Sequence, residues 1–142
     1  MPRLSLFFVR ASLIYLFIGV TYGSLLLWNK VMPFSSIIWL LRPTHIDIMF
    51  IGWMTQFALG IAFWILPRRG SEKPRGNEIW SVIAFFLLNT SLIFSIFRAF
   101  ITSPWIVVTA HSLQGIGLIL FLIGNWWRIY PLKFPEYLNP KG

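Results

Sequence analysis

Along the chain, apolar positions gather into four long stretches separated by short polar breaks. Each stretch is long enough to cross a hydrocarbon core as a helix, which takes about 20 residues. The pattern predicts spans over residues 6–28, 44–66, 79–100 and 105–130. Between the first two, residues 29–41 hold Pro33, two serines and the run IIWLL. That piece is too short to span, so it is predicted to lie along the membrane interface over 33–41, with Trp39 at headgroup level. The clearly soluble break is PRRGSEKPRGNE, residues 67–78, rich in glycine, proline and charge. A Thr-Ser-Pro turn at 102–104 leads into the fourth span, where Pro104 suits a first helical turn because a missing N–H costs nothing there. Pro131 and a polar tail end that span. The opening run resembles a signal peptide in composition, but its apolar part is too long and lacks a small-residue cleavage site, so it reads as a retained first helix. The expected fold class is all-α: a polytopic membrane protein forming one four-transmembrane-helix bundle over residues 1–142.

Composition narrows the class further. Charged residues make up 11% of the chain against about a quarter in a typical soluble domain. The net charge of +8 does not point to nucleic acid, because the basic residues flank apolar runs and form no single stripe. They read as orientation signals and contacts with anionic membrane lipid. With no cysteine, disulfides, covalent c-type haem, iron–sulfur clusters and thiol chemistry all drop out. Arg3, Arg10, Arg68, Arg69, Lys73, Arg75, Arg128, Lys133 and Lys141 fall on one side of the expected topology, and Lys30, Arg42 and Arg98 on the other. The positive-inside rule then puts both termini in the cytoplasm, the arrangement expected of a prokaryotic inner-membrane protein. Tryptophans agree: Trp28, Trp39 and Trp105 mark one interface, and Trp64, Trp80, Trp126 and Trp127 the other.

Polar residues inside the spans are the candidate chemistry, because they are costly in lipid unless something compensates them. The second span carries His45, Asp47 and Gln56, the third Asn89, Thr90 and Ser91, and the fourth His111 and Gln114. His45 and His111 are the two histidines of the chain, and both spans run in the same direction from the same surface. At ~1.5 Å rise per residue their depths differ by roughly 5–9 Å. Two imidazoles on facing helices are suited to the two axial positions of one haem iron. Arg42 and Arg98 lie on the same side of the membrane and suit haem propionates. Steps of three and four from His45 give a face of Met49, Gly52, Gln56, Gly60 and Phe63; from His111 they give Gln114, Gly115 and Leu118. Plainer roles stand beside these. Gly19 and Gly23 have the small-xxx-small spacing of close helix packing, and both glutamines suit interhelical hydrogen bonds. Asp47 suits a pair with Arg42 or a hydrogen bond with His45, and Arg98 suits a snorkelling side chain.

The run Arg42-Pro43-Thr44-His45, followed by Gly52-Trp53, Gly60, Ala62 and Leu66-Pro67, resembles the second helix of the catalytic subunit of haem-copper oxidases and nitric oxide reductases. The first span with Gly19 and Gly23 is similar to that family's first helix. Val107 to His111, with Gly117, Gly124 and Tyr130-Pro131, is similar to its later ligand-bearing helix. The resemblance implies that His45 ligates a low-spin haem. It also has limits: the family needs further histidines for a catalytic haem and for copper, and its His-x-His pair is here His111-Ser112-Leu113. Oxygen reduction at a haem–copper pair is excluded on ligand count. What the resemblance implies is a reduced four-helix relative holding one haem b between His45 and His111. It would pass electrons to or from quinone or a larger respiratory membrane complex. Two alternatives stay open: a cofactor-free accessory subunit of such a complex, and a haem-based gas sensor with one open axial position. Homo-oligomerisation is compatible with all three. No carboxylate pair, nucleophile–base pair or phosphate loop marks the chain as an enzyme on its own.

Overall fold

The computed structural model describes residues 1–67, 78–101 and 103–129. The expected cytoplasmic loop over 67–78, the end of the fourth span at Tyr130 and the polar tail fall largely or wholly outside the described residues. Among them all regular structure is helical, with no strand. The first span is α1 (Arg3–Val31), which starts and ends about three residues beyond its expected bounds. At its C-terminus the Met32 N–H still donates to the Trp28 carbonyl at 2.9 Å, and Pro33, lacking an N–H, cannot extend the ladder. The interfacial segment contains the five-residue helix α2 (Ser36–Leu40), with no residue buried.

The second span is one continuous rod over Arg42–Ile65. It comprises α3 (Arg42–Asp47), an eight-residue π-helical stretch (Ile48–Thr55) and α4 (Gln56–Ile65). Runs of this wider helix are rare and tend to accompany functional positions. The third span is α5 (Ile79–Phe97) and the fourth α6 (Pro104–Trp126), with Pro104 in the first turn as expected. All four spans are long and apolar enough to cross a membrane.

Burial in this bundle inverts that of a water-soluble one. Phe17, Val31, Trp105, Trp127 and many other large apolar side chains point outward, whereas Ser5, Ser12, Ser81, Ser91, Ser95, Asn29, Gln56 and Asn125 are buried. Lipid tails are as apolar as leucine, so burying leucine drives nothing; small and polar side chains let backbones approach and hydrogen-bond across helices. Ser5 Oγ donates to the Gly60 carbonyl at 2.6 Å, and Asn125 Nδ2 to Ser81 Oγ at 2.8 Å.

The first two spans pack antiparallel in a readable register. A Cβ built on Gly23 would lie 3.1 Å from His45 Cε1; one on Gly19 would strike Met49; one on Gly52 would lie 2.7 Å from Tyr15; one on Gly60 would lie 2.9 Å from Phe8. Residues 23, 19, 15 and 8 therefore face 45, 49, 52 and 60 in turn. The third and fourth spans form a second antiparallel pair, in which Gly124 lies against Trp80 and Gly117 against Ala84 and Leu88. The two pairs meet around Phe8, Phe63, Ala84, Leu88 and Phe121. There Phe8 sets its edge against Phe85 and Phe121, at centroid distances of 5.0 and 6.0 Å.

Arg128 closes the same end of the bundle. Nη2 donates to the carbonyls of Phe63 and Leu66, Nε to that of Pro67 and Nη1 to Asn125 Oδ1, at 2.8–3.3 Å, and the guanidinium stands 4.9 Å from the Phe63 ring centre. The last carbonyls of a helix have no partner within it. Arg128 supplies a cationic one and links the ends of the second and fourth spans.

Candidate functional site

The opposite end, around His45, gathers most of the candidate residues. Two hydrogen-bonded clamps shape it. Asn29, at the end of α1 and buried, accepts at Oδ1 from the N–H groups of Phe34 and Ser35, both 3.0 Å, and donates from Nδ2 to the Ser35 carbonyl at 2.9 Å. Tyr22 Oη donates to the Ile38 carbonyl at 2.6 Å. Together they fold the interfacial segment back over α1, so that Trp39 roofs a groove of about 510 Å³ lined also by Gly23, Leu26, Leu27, Lys30, Arg42 and His45.

His45 is half-buried there, its ring against Gly23 and 5.9 Å from the Tyr22 ring. Its buried Nδ1 has no hydrogen-bond partner. Arg42 is exposed on the rim, on the same groove as Lys30. The expected pairings of Asp47 change. Its carboxylate accepts a short hydrogen bond from Ser95 Oγ and pairs with Arg98 Nη2 at 3.4 Å; neither Arg42 nor His45 is its partner. Thr44 Oγ1 donates to the Ser95 carbonyl at 2.6 Å, so one turn of the third span anchors both polar neighbours of His45. Arg98 is held by this pair and does not line the groove.

His111 lies elsewhere. It is exposed on α6, and its Nδ1 is 3.1 Å from Gln114 Oε1 on its own helix. Nothing comes within 4 Å of a Cβ built on Gly115, one turn further. The register of the third and fourth spans (Trp80 against Gly124, Ser81 against Asn125) continues to set His111 level with the turn around Ser95, which Thr44 and Asp47 also touch. The two histidines therefore lie at similar levels, nearer than the roughly 5–9 Å difference expected from helical rise, but not on one face: His45 turns to the first span and His111 outward. Of the two glutamines, Gln56 makes the expected interhelical bond, accepting from Asn89 Nδ2 at 3.3 Å, whereas the partner of Gln114 is His111 on the same helix.

The fit of these residues to a haem is one-sided. A histidine, a groove in the size range of small-molecule sites and two cations come together at His45. A second imidazole does not. Among the described residues no group of three or more His, Cys, Asp or Glu could hold a bare metal ion. Comparison with known proteins gives no match: no family model, no curated protein and no solved structure is similar to this chain.

Tyr15, Tyr22, Asn29, Ser95 and Arg128 all carry polar contacts that periodicity did not single out. Each is polar and within or beside an apolar run, and that was their only signal in the sequence.

Proposed function

We propose that this chain is a small integral-membrane haem b protein with His45 as an axial ligand, carrying electrons in or beside a respiratory chain. The observation that carries the reading is the His45 imidazole, half-buried in a groove with cationic rim groups Lys30 and Arg42. Gly23 and Tyr22 pack beside the ring and help fix its orientation. Lys30 and Arg42 would pair with the acidic substituents. The resemblance of residues 42–67 to the haem-ligating helix of haem-copper oxidases and nitric oxide reductases agrees with this assignment. When bound, the haem would supply one-electron redox chemistry. The excess of basic residues on one side supports a reading with both termini in the cytoplasm and the groove at the outer surface of a prokaryotic inner membrane.

The test is an absorption spectrum and a pyridine haemochrome assay on protein purified after haem-supplemented expression. Wild type and His111→Ala are expected to hold haem and His45→Ala to lose it. Since no second imidazole stands near His45, the reduced protein is expected to bind carbon monoxide. A wild type without a b-type spectrum would sink the reading. Loss of haem in His111→Ala, with carbon monoxide refused by the wild type, would instead restore a bis-histidine site between the second and fourth spans. A second reading, a cofactor-free accessory subunit, is favoured by the exposed His111 imidazole beside open space at Gly115, a polar face that a larger membrane partner would cover. Co-purification of a stoichiometric membrane partner, lost in a His111→Leu variant, together with a haem-free spectrum, would support it.

A further inference from the structure

At mid-bundle, one polar side chain from each span lies at nearly the same level. Tyr15 Oη donates to Asn89 Oδ1 at 2.8 Å, and Asn89 Nδ2 donates to the Phe85 carbonyl at 2.7 Å and to Gln56 Oε1 at 3.3 Å. Both the oxygen and the nitrogen of the Asn89 amide are thereby engaged. Gln56 is completely buried, its oxygen is taken, and its Nε2 has no acceptor. Gln114, 8% exposed, is in the same condition: its oxygen faces His111 Nδ1 and its Nε2 has no acceptor. Because Gly117 lies against Ala84 and Leu88, Gln114 one turn away is beside the Leu88–Ser91 turn, the turn that holds Asn89.

Two amide groups thus reach one level of the membrane interior with hydrogens to donate. No protein acceptor, helical carbonyls included, is in hydrogen-bond contact with either Nε2, and in lipid no bulk water compensates an unpaired donor. What meets them has to be an acceptor. It has to be small, because Leu88 and Leu92 close this part of the interior to under 2% exposure. It has to be neutral, because no cation stands in the Tyr15–Asn89–Gln56 chain to balance an anion. Water fits all three conditions and needs only two to four polar partners.

We propose that the mid-membrane layer binds water that accepts from both Gln56 Nε2 and Gln114 Nε2, joining the Tyr15–Asn89–Gln56 chain to Gln114 and His111 across all four spans. The site is separate from the groove at His45 and independent of haem.

Hydroxyl-radical footprinting with X-ray pulses tests it, since radicals born on trapped water mark the side chains beside it. In the full chain in nanodiscs, oxidation of Tyr15 is expected well above that of Phe8, which is buried without a polar neighbour of this kind. It should fall several-fold in both Gln56→Leu and Gln114→Leu, each checked for a wild-type melting profile. Should Gln56→Leu fail to fold, Gln56→Met gives the same reading. Tyr15 oxidation no higher than that of Phe8 would overturn the water site. Oxidation that survives the loss of Gln114 would overturn the bridge between the two amides.

Discussion

Arg128 shows how a charged residue that sequence reading counts only as a flanking positive charge becomes structural. It is 4% exposed and satisfies three carbonyls where the second span stops at Pro67. Its planar fork supplies several donors in fixed directions, which a lysine ammonium cannot reproduce. Arg128→Ala is expected to cost about 2–4 kcal/mol, from several lost charge-assisted bonds and unsatisfied buried acceptors, and Arg128→Lys to recover only part of it, as read by thermal unfolding in detergent. Asp47 and Arg98 make the corresponding lock at the other end, each nearly nine-tenths buried. Asp47→Asn keeps the shape and an acceptor for Ser95 but leaves the guanidinium without its counter-charge. Removing one partner of a buried pair costs about 3–5 kcal/mol, and Arg98 lies near a helix end, where it can reach water, so the lower part of that range is expected. Replacing both residues, as Asp47→Asn with Arg98→Gln, should be milder than the sum of the single changes. Additive losses would show that the two do not act as a pair.

For the elements, the sequence was informative about faces and silent about neighbours. Steps of three and four from His45 collected Met49, Gly52, Gln56, Gly60 and Phe63, and these are inward positions of the second span. Yet the face expected to meet the fourth span lies mainly against the first, with Gly23, Gly19, Tyr15 and Phe8 opposite its members. Periodicity fixes which side of a helix is buried; the identity of the covering helix depends on packing of all four, which no local pattern carries. The eight-residue π stretch was equally illegible, because it alters hydrogen bonding without altering composition. The glycines test this packing directly. Gly60→Ala, 2.9 Å from Phe8 Cβ, and Gly124→Ala, 2.7 Å from Trp80 Cβ, push against parts of side chains that cannot swing away. Each is expected to destabilise by about 1–3 kcal/mol, the range for overpacking. Gly115→Ala, with open space around it, should be neutral or gain up to about 1 kcal/mol from helix propensity. Unfolding midpoints of the three variants in one detergent decide it, and equal effects would contradict the register.

The whole molecule presents two differently built ends, and the direction in which it sits decides what each can do. An aromatic core of Phe8, Phe63 and Phe121 and the Arg128 cap draw all four spans together at one end. The other end keeps a groove with Lys30, Arg42 and His45 and an outward-facing His111. A redox partner, a lipid headgroup or a second subunit would meet the groove from whichever compartment that end faces. Nine of the twelve basic residues, by the sequence tally, fall on the Arg128 side, and short basic loops stay in the cytoplasm. The groove is therefore expected to open on the outer surface. The chain has no cysteine, so a single introduced thiol reports its own side without background. In intact cells, Ser36→Cys on the exposed interfacial helix should react with a membrane-impermeant maleimide, whereas Ser71→Cys in the basic loop should react only after the membrane is opened. The reverse pattern would turn the groove to the cytoplasm and replace an external electron partner with a cytoplasmic one, leaving the helix packing untouched.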